Sequence, residues 1–223
     1  MDLSNMLVFL VFPYIALTIF IFGHAARYLT DRYEWNAKSS EFLEKKRLLF
    51  GVTVFHWGMI LVLLGHAGGL LIPQRLLDAM GINGETHTFI AHYNGMATGI
   101  AALIGLGLLL YRRISVLRIR LTTSQNDFIT LFGLIFVSGA GIYNVLFEDY
   151  YILDTIAPWI RGIVTFSPDP ALMLNVPLGY KIHIVSALAL LAFSPFSRLV
   201  HIWSAPVGYF FRNWIEFRQK TIE

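Results

Sequence analysis

The sequence predicts an all-α integral membrane protein, a bundle of five helices. Of its 223 residues, 56% are hydrophobic and 14% are charged, whereas soluble domains average about 45–50% and about 25%. Five apolar runs are each long enough to cross a bilayer core of about 30 Å, which requires about 20 helical residues. Lys and Arg are concentrated in alternate loops, as in multi-pass membrane proteins.

The apolar runs define the predicted domain organisation. The first run has neither a basic segment before it nor a cleavage site after it, which predicts a retained anchor rather than a signal peptide. No loop is long enough for a soluble domain, so we predict one transmembrane domain over residues 1–223 that ends in a cytoplasmic tail, 204–223. The five predicted helices cover residues 7–28, 48–72, 88–111, 127–147 and 179–203.

The loop charges predict the orientation of the chain. Six Lys or Arg residues lie in 27–47, four in 112–120 and four in 198–220, whereas 73–87 contains only one. Because basic loops stay in the cytoplasm, we expect the N-terminus outside and the C-terminus cytoplasmic, in the cell inner membrane. The basic residues form no stripe with aromatic residues, so a pI near 9.2 does not indicate nucleic-acid binding.

Four histidines in the apolar runs are candidate ligands of haem iron. Ionisable residues are costly inside a membrane and usually functional, and neutral imidazole is a common axial ligand of haem. His56 and His66 lie on the second helix, and His183 and His201 on the fifth, five turns apart and so on one face. Antiparallel packing then pairs His56 with His201 near the inner face and His66 with His183 near the outer face.

The spacing of these histidines leaves one mismatch and one alternative. The rise along an ideal helix is about 27 Å from His183 to His201 but about 15 Å from His56 to His66. Helix tilt or a kink at Pro195 can reconcile the two. Membrane histidines also form interhelical hydrogen bonds or relay protons, so a haem-free transporter or structural anchor is the alternative. The sequence has no cysteine, which excludes thiolate-held clusters, thiolate-ligated haem and c-type attachment.

Further residues near the histidines are candidates for contact with a cofactor. Arginine binds carboxylates in a bidentate manner, although positive-inside topology accounts equally well for any one arginine near the inner surface. Glycines bare a helix surface, either for a flat porphyrin or for close helix packing. The candidate propionate partners are Arg27, Tyr28, Arg112 and Arg198, and the glycines are Gly65, Gly68, Gly69, Gly99, Gly105 and Gly107.

Two segments resemble the gamma subunit of membrane-bound respiratory nitrate reductase. Residues 193–206 read FSPFSRLVHIWSAP, and residues 55–66 read FHWGMILVLLGH, with two histidines ten residues apart. The Arg112–Arg113 pair and residues 120–127 are also similar, and the resemblance covers nearly the whole chain. It implies two b-type haems, an inner one held by His56 and His201 and an outer one held by His66 and His183.

The resemblance also implies an activity and partners. Menaquinol or ubiquinol is oxidised beside the outer haem, in a pocket that includes Gly65 and Gly69. Electrons pass to an iron–sulfur beta subunit and then to a molybdenum alpha subunit, which reduces nitrate in the cytoplasm. The basic loops and the tail 209–223 are the expected docking surface for these partners.

The chain departs from the family at one position of the expected quinol pocket. The family has a lysine near the outer start of the third helix, whereas residues 73–111 contain none. His87 is the candidate that takes its place as proton acceptor. The alternative within the same class is an equivalent cytochrome b of another quinone-linked complex, such as a nitrite oxidoreductase, a hydrogenase or a complex of sulfur metabolism.

Overall fold

A computed structural model describes residues 3–31, 35–148 and 150–204, and all of its regular secondary structure is helical. Five of its helices are long and apolar enough to cross a membrane, which confirms the predicted all-α bundle. Of the predicted tail, residues 205–223 lie outside the described part of the chain. The helices are α1 (Leu3–Asp31), α2 (Lys46–Leu71), α3 (Gln74–Ala79), α4 (Gly84–Ser115), α5 (Leu117–Thr122), α6 (Gln125–Phe147), α7 (Ile156–Val164) and α8 (Leu178–Phe193).

Capping residues set two of the helix starts. Asn83 precedes α4, and its Oδ1 accepts a hydrogen bond from the Thr86 N–H at 2.8 Å. Ser124 and Asp127 form a capping box at the start of α6, in which each side chain accepts from the other's backbone N–H. Such caps satisfy N–H groups that have no partner within the helix. The apolar pattern does not reveal these caps. The observed α4 also extends beyond the predicted 88–111 at both ends.

The spanning helices pack in the order α2, α4, α6, α8 and α1. The closest crossing joins α2 to α4 through two glycines. A Cβ added at Gly58 would lie 2.6 Å from the Ala102 N, and one at Gly105 would lie 2.6 Å from the Phe55 Cα. By contrast, α2 and α8 are not among the closely packed pairs of described helices. The four candidate ligand histidines lie between α2 on one side and α8 with the segment after it on the other.

A helical cap closes the end of the bundle that we predict to be outer. The loop between α6 and α8 contains α7, which the sequence analysis did not predict. Trp159 of α7 is 1% exposed and donates to the Phe9 carbonyl at 2.9 Å, while Asn5 of α1 donates to the Pro170 carbonyl at 2.6 Å. These buried contacts hold the cap on the N-terminal end of α1.

The fifth spanning helix ends earlier than predicted. We expected one helix over 179–203, but α8 ends at Phe193 and is followed by two 3₁₀ segments, Ser194–Phe196 and Arg198–Ser204. Between them Ser197 is extended, with φ −125° and ψ 179°. Proline has no N–H to continue the helix, so the break falls at Pro195. His201 therefore lies on a separate segment, and the expectation of five unbroken turns on one face is corrected.

Candidate functional site

The structure brings His56 of α2 and His201 of the last 3₁₀ segment together. Their ring centres lie 5.9 Å apart. The His56 Nδ1 is 2.8 Å from the Val52 carbonyl, and the His201 Nδ1 is 2.5 Å from the Arg198 carbonyl. A carbonyl oxygen can only accept, so each Nδ1 carries the proton and each Nε2 keeps its lone pair.

A second pair of the same design lies further along α2 and α8. The ring centres of His66 and His183 are 6.0 Å apart. The His66 Nδ1 donates to the Val62 carbonyl at 2.8 Å, and the His183 Nδ1 donates to the Val137 carbonyl of α6 at 2.9 Å. The break at Pro195 and the extended Ser197 lie between His183 and His201, so the rise of one continuous helix does not apply to this pair.

Each pair suits a metal ion held between two imidazoles. At about 2.0 Å from metal to nitrogen, and about 1.1 Å from nitrogen to ring centre, two imidazoles on one metal have their centres about 6 Å apart. The observed separations are 5.9 Å and 6.0 Å. The described residues contain no group of three or more metal-binding side chains. Each pair offers two imidazole nitrogens to a metal, which fits haem iron.

A cavity of about 300 Å³ includes the inner pair in its lining. Its walls are aliphatic, with Leu106 and Leu131 contributed by α4 and α6. Charged residues also line it, namely Glu41, Lys45, Arg112, Arg113, Asp127 and Arg198. A lining of aliphatic and mostly basic side chains fits an amphiphilic molecule that carries carboxylates, such as haem.

The two predicted propionate partners that line this cavity already bind protein groups. Arg112 is 3% exposed, and its donors go to the Glu44 carboxylate at 2.7 Å, the Ser40 hydroxyl at 2.9 Å and the backbone carbonyls of both residues. Arg198 donates to Asp127 and, at 3.0 Å, to the Ala37 carbonyl. Each guanidinium therefore organises the cavity wall.

The other two predicted propionate partners lie away from the lining. Arg27 of α1 donates to the carbonyls of Pro195 at 2.5 Å and Ser197 at 3.1 Å, which braces the break after α8. Tyr28 is exposed and packs edge-on against Trp35. Arg113, which the sequence also places near the inner surface as a possible propionate partner, lines the cavity and contacts Asp127 at 3.2 Å.

The predicted quinol-site residues Gly69 and His87 are neighbours. A Cβ at Gly69 would lie 3.0 Å from the His87 Nε2, so the absence of a side chain leaves room for the ring. His87 is 7% exposed, and its Nδ1 faces the Gln74 Oε1 at 3.2 Å. The third predicted residue, Gly65, has nothing within 4 Å of its Cβ position among described residues, so open space lies beside it.

The hydrogen bonds of Gln74 define the tautomer of His87. The Gln74 Nε2 donates to the Asp78 carboxylate at 2.9 Å and to the Ile82 carbonyl at 3.0 Å, which uses both of its hydrogens. The Oε1 that faces His87 is therefore an acceptor, and the His87 Nδ1 carries the proton. The His87 Nε2 then has a lone pair and is a potential proton acceptor.

Comparison with known proteins decides the family. The sequence model of the nitrate reductase gamma subunit matches residues 5–220. The chain belongs to the nitrate reductase gamma subunit family. It is 42% identical to the nitrate reductase gamma chain of Bacillus subtilis, over 98% of this chain and 100% of that one. It is 33% identical to the respiratory nitrate reductase 1 gamma chain of Escherichia coli, over 96% of this chain and 97% of that one.

Membership of this family confirms the resemblance seen in the sequence. The chain is a membrane subunit of an oxidoreductase complex, and gamma chains imply partner subunits that carry the catalysis. A more distant relative is the Hdr-like menaquinol oxidoreductase cytochrome b-like subunit of Archaeoglobus profundus, 24% identical over 89% of this chain and 59% of that one. A haem-binding role is in keeping with that relationship.

Several site residues of this gamma subunit were missed in the sequence. Gly141 of α6 faces the His183 ring, and a Cβ there would lie 3.0 Å from its Cε1. Gln74 and Asp78 sit on α3, a short helix that the apolar pattern did not show. Asp127 stood out only as the start of a helix. A capping pattern, serine followed three residues later by an acid, was the available signal for its local role, but no local pattern indicates its contact with Arg198.

The turn after His66 is a further feature of the outer site. Residues Ala67–Leu71 form a π-helical turn at the end of α2. Arg161 of α7 donates to the Leu70 carbonyl within it at 3.1 Å. Single π-helical turns inside α-helices occur frequently at functional sites, because the extra residue redirects neighbouring side chains. This hydrogen bond connects the helical cap to the turn that follows His66 and contains Gly69.

Proposed function

We propose that this chain is the dihaem cytochrome b subunit of a quinol-dependent nitrate reductase. It oxidises membrane quinol near the outer face and delivers electrons to iron–sulfur and molybdenum subunits on the cytoplasmic side. The observation that carries the proposal is the presence of two facing histidine pairs with matching ring separations. Each pair has ring centres about 6 Å apart and both Nδ1 protons bound to backbone carbonyls.

The four histidines would hold haem iron. His56 and His201 would hold the inner haem, and His66 and His183 the outer one. A hydrogen bond from Nδ1 to a carbonyl fixes the ring orientation and makes the opposite nitrogen a better ligand. When bound, b-type haem accepts and releases one electron at a time. Two stacked sites provide an electron path across the bilayer.

His87 has the role of proton acceptor in quinol oxidation. Oxidation of a quinol to a quinone releases two electrons and two protons, so the pocket needs a group that takes a proton from the head-group hydroxyl. The His87 Nε2 has a lone pair, whereas the His66 Nε2 is committed to iron. Gln74 fixes the tautomer, and Asp78 holds Gln74. Protons then leave towards the outside.

The charge distribution supports the proposed orientation and docking surface. Lys45 precedes α2, and Lys46 and Arg47 begin it. Arg112, Arg113, Arg118 and Arg120 lie at the same end of the bundle, around the end of α4 and in α5. We assign this end to the cytoplasm by the positive-inside rule, so the N-terminus is outside. The inner haem site opens towards this basic surface, where the iron–sulfur subunit docks.

A second candidate is a cytochrome b of a different menaquinol-oxidising complex. The relationship to Hdr-like menaquinol oxidoreductase subunits favours it. The identity to these proteins is lower than that to nitrate reductase gamma chains. The two candidates share the quinol and haem sites and differ in the terminal acceptor.

The deciding experiment is an optical one on the complex purified from membranes with its native partners. A reduced-minus-oxidised spectrum with haem quantitation should give two b haems per gamma subunit. Added quinol should reduce both, and nitrate should reoxidise them. Two haems that nitrate fails to reoxidise would move the chain to the second candidate. A complex without a haem absorption band would contradict the ligand assignment altogether.

A further inference from the structure

We propose that Asp127 and Arg198 are positioning residues that hold His201 in place at the inner haem. The proposal rests on the proposed function, because it takes His201 to be an iron ligand. It adds two residues that do not touch the iron. They act through the backbone of the last 3₁₀ segment, and the following observations support this role.

His201 needs an anchor that the other three ligands do not. His56, His66 and His183 sit on α2 and α8, where continuous backbone hydrogen bonds fix the direction of each side chain. His201 follows the break at Pro195 and lies in a short 3₁₀ segment. Such segments have poorer hydrogen-bond geometry than an α-helix, so the position of His201 depends on contacts made by its neighbours.

Arg198 supplies that anchor from two directions. Its Nε lies 2.8 Å from the Asp127 Oδ1, and its Nη2 also donates to that oxygen. Its Nη1 donates to the Ala37 carbonyl at 3.0 Å. The side chains of Asp127 and Arg198 are 10% and 21% exposed. This pair is shielded from solvent, unlike a surface ion pair, which contributes little.

Asp127 is itself firmly held. Its Oδ2 accepts from the Ser124 N–H at 3.1 Å within the capping box and from the Arg113 Nη1 at 3.2 Å. The carboxylate thus joins the start of α6, the end of α4 and the segment after α8. Because Asp127 is fixed to both α6 and α4, it can hold the segment after α8 in position relative to these two helices.

The last link runs from Arg198 to the imidazole. The Arg198 carbonyl accepts the His201 Nδ1 proton at 2.5 Å. The residue whose side chain is fixed by Asp127 is therefore also the residue that orients the ligand ring. Releasing the Arg198 side chain lets this peptide move, and the ring moves with it. Only the inner haem depends on this link, so the outer haem is a control within the same molecule.

A purely electrostatic role is the competing explanation, and charge-changing variants separate the two. Asp127→Asn removes a negative charge and Arg198→Met removes a positive one. If the residues act only through their field, the two variants shift the inner haem's reduction potential in opposite directions and leave its retention unchanged. If they position His201, both variants weaken the hold of His201 on the inner haem and cause the same loss of that haem.

The experiment uses the intact complex in isolated membranes. Haem transfer to apomyoglobin and the EPR spectrum of each oxidised haem are measured for wild type, Asp127→Asn, Arg198→Met and Asp127→Glu. We expect both charge-removing variants to release the inner haem about tenfold faster, as for other groups that orient a metal ligand, and to change its EPR signal. The outer haem should be unaffected, and Asp127→Glu should restore most of the retention.

Ser124→Ala is the matched control, because it removes the other half of the capping box and leaves the Asp127–Arg198 pair in place. Retention of the inner haem close to wild type in this variant supports positioning. Loss equal to that of Asp127→Asn overturns the proposal in favour of a general role in starting α6. Opposite potential shifts with normal retention also overturn it. A wild-type complex without two haems contradicts the proposed function instead.

Discussion

Gly105 of α4 lies directly against Phe55 of α2, the residue before His56. A Cβ at residue 105 would lie 2.6 Å from the Phe55 Cα. The backbones of α2 and α4 are therefore in close contact here, next to His56, which lines the inner cavity. A side chain here has no flexible neighbour to displace, because the contact is with backbone.

We expect Gly105→Val to lose the inner haem while the outer haem is kept. The added side chain pushes α2 away and separates His56 from His201, and overpacking of this kind costs typically about 1–3 kcal/mol. Haem quantitation of the purified complex should show one haem per chain. Gly107→Val is the control, since nothing described lies within 4 Å of its Cβ position. Equal haem loss in both variants would show that helix α4 is merely intolerant of valine.

The histidine pairs predict two distinct one-haem proteins. His201→Ala should remove the inner haem and leave the outer one, while His183→Ala should do the reverse. Adding His56→Ala to His201→Ala should cause no further loss, because both residues serve one site and their effects are not additive. Optical and EPR spectra of membranes check each variant. Two intact haems in His201→Ala would refute the pairing.

His87 and Gln74 should affect quinol oxidation without affecting the partner subunits. His87→Phe removes the proposed proton acceptor, and we expect quinol-dependent nitrate reduction to fall by about 100-fold, a typical contribution of a general base. Gln74→Leu frees the imidazole to adopt either tautomer and should cause a smaller loss. A reduced dye that donates directly to the catalytic subunits should support nitrate reduction at the normal rate.

The control for this experiment is His92→Phe. His92 lies on the same helix but is exposed, and it should tolerate the change. A His87→Phe complex that oxidises quinol as fast as wild type would exclude His87 from the quinol site.

Glu44 gives a pH-dependent contribution to stability. The Arg47 backbone N–H and the buried Arg112 guanidinium lower the pKa of Glu44 below its ordinary value of 4.5. Because the pKa is lowered on folding, the stabilisation is complete above the ordinary pKa and disappears as the pH falls through the lowered one. Glu44→Gln should melt at a lower temperature than wild type at pH 7. The difference in melting temperature should shrink below about pH 4, and a constant difference would exclude ionisation as the cause.

The sequence was sufficient for the features that depend on local pattern. Apolar runs of membrane length predicted the spans, and the histidines stood out because ionisable groups are costly in a bilayer. Their proximity in pairs also followed from antiparallel packing, and the ring centres of His66 and His183 lie 6.0 Å apart. The roles of these histidines as ligands stay a prediction.

The features that depend on distant contacts could not be predicted. Pro195 was identified as a kink, but the contacts that hold the segment carrying His201 come from Arg27 and Asp127, which lie far away in sequence. The partners of Arg112 and Arg198 lie at least 68 residues away in sequence. Both arginines fit a propionate-binding role by type and level, and only the folded chain shows that their donors are already engaged.

The placement of the paired histidines has a consequence for biogenesis. Each pair joins α2 to an element beyond α6, so more than half of the chain separates its two members. While the polypeptide is being inserted, His56 and His66 on α2 are synthesised early, before their partner histidines exist. A product that stops before α8 has neither pair, and one that stops before Arg198 has only the outer pair. The inner site therefore first exists once the segment that carries His201 has been synthesised. Incomplete products differ from full-length ones in the number of histidine pairs that they contain.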